Sequence, residues 1–134
     1  MKTAKPTTIA IEGISEPTII QYFDTLNQGN FAATSRLFTP SGILQPPFDS
    51  PLIGQTAIAQ YLQAEAAGMK ILPCKGLTQK SENGDTEIQV SGKVQTSLFG
   101  VNISWLFILT PTHKLSLAKI KLIASPRELL NLRH

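Results

Sequence analysis

Residues 90–109 read VSGKVQTSLFGVNISWLFIL and contain the chain's only tryptophan. Phe99, Val101, Ile103, Trp105, Phe107 and Leu109 all fall on odd positions. A strand sends alternate side chains to one face, so these six predict a continuous apolar wall. Whether that wall meets other side chains or a ligand is open at the level of spacing. Either way it is one strand of a sheet with a buried face, and the flanking segments extend that sheet.

Just before it, TEIQVSGKVQT sets Ile88, Val90 and Val94 against Glu87, Gln89 and Lys93, again with one buried face. MKIL (69–72) and KLSLAKIKLIA (114–124) read as the outer two of four antiparallel strands. ENGD (82–85) is a strong hairpin turn, and PTHK (111–114) turns between the last two strands.

Upstream the period changes to that of helices. SEPTIIQYFDTLNQG (15–29) predicts a helix capped by Ser15, with Pro17 in its first turn and Gly29 at its end. Ile19, Tyr22, Phe23 and Leu26 share one of its faces. NFAATSRLF predicts a second short helix capped by Asn30. SGILQPPF predicts a short strand broken by Pro46 and Pro47. GQTAIAQYLQAEAAG predicts a third helix stopped by Gly68. Ser125, Pro126 and Glu128 in SPRELLNLRH have capping-box spacing and predict a short final helix. The order implies an α+β domain: a curved, mostly antiparallel sheet, three helices on one face and a short C-terminal helix. Residues 1–10 read as a flexible arm and 11–134 as a single domain.

With 134 residues, 42% hydrophobic and 16% charged, the composition is that of a globular chain able to bury one core. The net charge of +3 is uneven. From His113 onward Lys114, Lys119, Lys121, Arg127 and Arg133 face Glu128 alone. This is a solvated basic face or an attraction for an anionic partner or membrane surface. No basic run interleaved with aromatics points to nucleic acid. The start MKTAKPTTIAIEG lacks the apolar stretch of a secretory signal, and WLFIL is far short of a membrane span. A single cysteine, Cys74, forms no internal disulfide, so the cytoplasm is the expected location.

Catalytic constellations are absent. His113 lies in a turn and His134 ends the chain, and neither joins a triad, a metal-ligand spacing or a phosphate loop. Asp24 lies about 200° around the helix from Tyr22 and points out if Tyr22 points in. Glu65 is the best candidate for a partly buried carboxylate, but a salt bridge or an ordinary helix-end charge is the favoured reading. The two polar groups of interest are Tyr22 and Trp105, each an apolar body with one donor. They either bond backbone carbonyls in an ordinary core or point together into one cavity. There they would hold a single acceptor, and leaving such donors unpaired costs roughly 1–3 kcal/mol each.

EGISEPTIIQYFDTLN, GILQPPFDSPLIG, QVSGKVQT and LIASPRELLNLR strongly resemble the C-terminal domain of the cyanobacterial orange carotenoid proteins, in the same order, from about Ile11 to Arg133. The resemblance implies an NTF2-like cone and a stand-alone homolog of that domain. It also implies a non-covalent ketocarotenoid, canthaxanthin or echinenone, whose keto oxygen accepts hydrogen bonds from Tyr22 and Trp105. Leu26, Met69, Ile71, Val94, Phe99 and Ile120 are the implied tunnel lining. Leu98 stands where the family commonly has a tryptophan. Lys119 and Lys121 stand near the place of an acidic residue in the two-domain protein.

The implied role is a carotenoid carrier in photoprotection, not an enzyme. It would homodimerise around one pigment, exchange it with a helical carotenoid protein and touch thylakoid membranes transiently. In that reading SPRELLNLRH either covers the cavity mouth as a lid or packs plainly on the sheet, and Cys74, at a strand end by the cavity rim, is either an inert thiol or one that links subunits by a disulfide. The competing readings are an enzyme of ketosteroid-isomerase type and a pigment-free interaction module.

Overall fold

The computed structural model describes residues 9–98 and 100–123. Phe99, the 125–134 helix with its lid role, and His134 lie outside the described residues.

Helix α1 (Pro17–Gln28) buries Ile19, Tyr22, Phe23 and Leu26, the face its spacing predicts. Its N-cap is Glu16 rather than Ser15. Pro17 occupies the first turn, so the residue directly before it is placed to reach Thr18 N–H, which the Glu16 carboxylate accepts at 3.3 Å. Gly29 closes the helix at φ 75°, a left-handed conformation that glycine adopts without penalty. Helix α2 (Phe31–Ser35) is capped by the Asn30 side chain. Helix α3 (Gln55–Glu65) buries Ile58 and Leu62.

The strands are β1 (Phe38–Gln45), β2 (Leu52–Ile53), β3 (Lys70–Lys80), β4 (Thr86–Gln95), β5 (Gly100–Leu109) and β6 (Leu115–Ile123). They form one curved mixed sheet in the order β2-β1-β6-β5-β4-β3. The ENGD and PTHK turns join β3 to β4 and β5 to β6, with Gly84 (φ 93°) and His113 (φ 65°) in left-handed conformations. β1 pairs parallel to β6, Leu44 opposite Ala118, and the other four pairings are antiparallel, in keeping with a mostly antiparallel sheet. One feature departs from expectation: β3 runs eight residues past Leu72, through Lys80.

The β3–β4 register jumps from Pro73↔Gly92 to Lys75↔Ser91, which leaves Cys74 as the extra residue of a bulge. Pro73 has no N–H to offer the ladder, a reason for the irregularity to sit there. Cys74 is therefore exposed inside β3, not at a strand end. The outer edge of β3 is bridged at the bulge: the Cys74 carbonyl accepts Glu12 N–H at 3.1 Å and Gly76 N–H donates to the Glu12 carbonyl at 2.8 Å. A Cβ at Gly76 would collide with the Gln89 carbonyl and with Ile14, so this edge closes only over glycine.

Between sheet and helices lies the core. Phe107, Leu109, Ile103 and Trp105 of β5 share one buried cluster with Tyr22 and Phe23 of α1. The apolar wall read from the odd positions is thus the floor of the molecule.

Candidate functional site

The wall does not fill completely. A cavity of about 250 Å³ opens between the inner sheet face and helices α1 and α3. Cross-strand pairing builds its sheet side in rows. Ile71, Val94 and Val101 form one row, and Trp105 with Ile120 forms another. Leu26 stands one turn after Tyr22 on α1, and Met69 follows α3. The structure therefore brings Tyr22, Trp105, Leu26, Met69, Ile71, Val94 and Ile120 to one cavity. Cys74 is not among its lining residues.

The deep end is aromatic. The Tyr22 ring stands edge-on to Phe23 (5.1 Å between centroids, 90°) and to Phe107 (5.0 Å, 74°). Phe23 is in turn edge-on to Trp105 (4.9 Å, 85°). Such edge-to-face pairs fix ring orientation and add stability beyond burial. Tyr22 is fully buried and Trp105 is 2% exposed.

Amid this packing the Tyr22 hydroxyl has no hydrogen-bond partner, the only buried side-chain oxygen or nitrogen so placed among the described residues. The Trp105 indole lines the same cavity. Burial pushes the Tyr22 phenol well above its ordinary value of 10.0, so it stays neutral and remains a donor. Buried donors in a settled core are satisfied. The Tyr22 hydroxyl and the Trp105 indole thus line one apolar cavity, and among the described residues the phenol is left able to donate to an acceptor brought in from outside.

The mouth is different in character. Pro46 and Pro47 after β1, Thr96 after β4, and Leu122 of β6 line it together with Tyr61 and Glu65 of α3. Around it Phe48 (82%), Leu98 (85%), Leu122 (44%) and Ile123 (42%) stay in solvent. Tyr61 donates to the Asp49 carboxylate at 2.8 Å. Burial, this hydrogen bond, and the charges of Asp49 and Glu65 all raise its phenol. Glu65 is exposed, the helix-end charge that its position favours: α3 ends there and the side chain meets water at the rim. The Asp49–Tyr61 pair leaves no trace in residue spacing, because a loop residue and a helix residue meet only in the folded chain.

The carboxylate that could serve proton transfer is elsewhere. Asp24 is partly buried, its carboxyl raised by that burial against the lowering effect of the Ile9 backbone N–H, but it does not line the cavity. No group of three or more histidine, cysteine, aspartate or glutamate residues among those described is arranged to hold a metal ion. A wider groove of about 610 Å³ runs between the end of α1 and β3. One of its polar side chains, Asn27, is already satisfied, giving to and taking from the Ile71 backbone at 2.8 and 2.7 Å.

Residues 14–118 match the nuclear transport factor 2 (NTF2) domain family. The chain belongs to that family. It is 42% identical to the orange carotenoid-binding protein of Synechocystis sp. over 96% of its own length. It superposes on OCP1 of Fremyella diplosiphon with a TM-score of 0.85 at 44% identity, over 92% of this chain and 40% of that one. It superposes on the orange carotenoid protein of Anabaena (Nostoc) sp. PCC 7120, solved binding canthaxanthin, with a TM-score of 0.84 at 36% identity, over 98% of this chain and 46% of that one. The chain is a homolog of the C-terminal domain of these proteins. It spans about two fifths of the length of the curated relatives it matches.

Proposed function

We propose that this NTF2-family domain binds a ketocarotenoid, with Tyr22 O–H and Trp105 N–H donating to the keto oxygen of one end ring. The observation that carries the proposal is the unpartnered, fully buried Tyr22 hydroxyl at the deep end of an apolar cavity. The donor set fits the group: two neutral donors, no fixed charge at the deep end, and apolar walls for a hydrocarbon ring. Relatives named for carotenoid binding, one solved with canthaxanthin, support the same reading.

The cavity is smaller than the roughly 300–1,000 Å³ of sites that enclose a whole drug-sized ligand. It takes a ring, and the polyene leaves through the mouth. A carotenoid is roughly 30 Å long, about the thickness of a bilayer's hydrocarbon core, so much of it would stand in water at a large apolar cost. A second copy of the chain enclosing the other ring, or a helical carotenoid protein taking it over, would remove that cost. In this reading the protein is a carrier in photoprotection rather than an enzyme. The isomerase alternative lacks a carboxylate at the deep donors, which is where proton transfer would need one.

The test is an absorption spectrum of the protein purified from canthaxanthin-producing cells, beside Tyr22→Phe and Trp105→Phe. A strongly red-shifted band that weakens or moves in both variants is the expected result. Colourless wild-type protein would overturn the proposal. A ratio near one pigment per monomer would overturn the shared-dimer part alone.

A further inference from the structure

The mouth has a built fastening that the binding reading does not use. β1 stops at Gln45 because Pro46 and Pro47 offer no N–H to a neighbouring strand. The chain then loops over residues 46–51 before β2. Gln45 steadies the near end of this loop, its side-chain amide donating to the Pro46 and Asp49 carbonyls at 3.3 and 3.4 Å. The far side of the mouth is α3, and the Tyr61–Asp49 hydrogen bond crosses from helix to loop. Pro46, Pro47 and Tyr61 are all cavity wall, so this bond joins two walls of one opening. At the tip of the loop Phe48 is 82% exposed and gives it little packing of its own.

We propose that Tyr61 is a positioning residue whose hydroxyl, held by Asp49, pins the 46–51 loop to α3 and sets how freely the cavity mouth opens. A loop with little buried area opens at low cost, and a hydrogen bond to a carboxylate is then a large share of what keeps it shut. Tyr61 acts on any ring entering or leaving the cavity, whichever molecule carries it. The identity of that ring as a ketocarotenoid's rests on the reading above.

The chain carries its own probe. Trp105 is the only tryptophan, lines this cavity and is 2% exposed, so acrylamide must pass the mouth to quench it. In ligand-free protein Tyr61→Phe keeps the ring and removes the hydroxyl, and Asp49→Ala removes the acceptor. Each should raise the quenching constant roughly fivefold, the effect of losing one hydrogen bond. The double variant should add nothing further, while Asp49→Asn, which keeps an acceptor oxygen, should stay near wild type. Release of canthaxanthin to phosphatidylcholine vesicles should accelerate by the same factor.

Unchanged quenching in Tyr61→Phe, or effects of the two single variants that simply add, would overturn the inference. Wild-type protein that takes up no canthaxanthin but shows the coupled quenching would overturn the pigment reading and leave the fastening in place. Coloured protein with uncoupled quenching would do the reverse.

Discussion

The chain's two tyrosines stand at opposite ends of one cavity and in opposite circumstances. Tyr22 is sealed among Phe23, Phe107 and Phe38, and nothing in the described chain meets its hydroxyl. Tyr61 stands half-buried at the mouth and its hydroxyl has a carboxylate at 2.8 Å. The floor has dense packing and an unsatisfied polar atom, whereas the mouth has loose packing and a satisfied one. Packing and polar satisfaction normally go together, because an orphaned buried donor costs free energy. Where they separate, the floor reads as a site shaped for something else and the mouth as the means of admitting it.

Substitutions at each end should sharpen or break this contrast. Phe107→Ala empties the floor of a fully buried ring that contacts both Tyr22 and Phe23. It should cost about 3–5 kcal/mol in chemical denaturation. A cost under about 1 kcal/mol would mean that the floor is not tightly packed. Tyr22→Phe should have the opposite sign in ligand-free protein, a gain of about 1–3 kcal/mol from removing the orphaned hydroxyl, while pigment binding weakens. Lost stability in ligand-free protein would show that the hydroxyl is satisfied after all.

Alkali separates the two forms further. Because the folded phenol titrates above 10.0, its contribution to stability is complete below that pH and is lost as pH rises through and beyond it. Denaturation midpoints measured across that range should fall in wild type and fall less steeply in Tyr22→Phe. At the mouth, Phe48→Ser should change ligand-free stability by no more than about 0.5 kcal/mol, since its side chain is already in water, and Leu122→Ser, at a residue 44% exposed, should cost about 1 kcal/mol at most. Pigment uptake should slow in both. A large stability loss in either would show that the mouth is core.

Helix α1 was legible almost to the residue because its signals are local: a proline at the start, a glycine at the end and an apolar face at helical spacing. The odd-position wall of β5 was legible for the same reason. β3 was not. Past Ile71 its residues are exposed or only partly buried, so the alternation that marks a half-buried strand is missing, and Pro73 and Gly76 look like breakers. What holds it is β4 on one side and Glu12 on the other, both distant in sequence. Residue preference favours Ser15 as the cap, whereas the position of Pro17 gives that place to Glu16. The donors Tyr22 and Trp105 were legible as residue types. Their shared cavity was not, because spacing places each side chain on a face of its own element without saying which faces meet.

The pairing of β1 with β6 has a consequence in time. Leu44 finds its partner only when Ala118 exists, so one whole side of the sheet is closed by contacts between distant parts of the chain. Hairpins β3–β4, β4–β5 and β5–β6 can zip locally, but β1 and its β2 flap must wait for them. During synthesis the segment that walls the cavity and carries its mouth loop is made early and seated late. Long-range pairings of this kind slow folding, so the cavity should be among the last features of the molecule to acquire its shape.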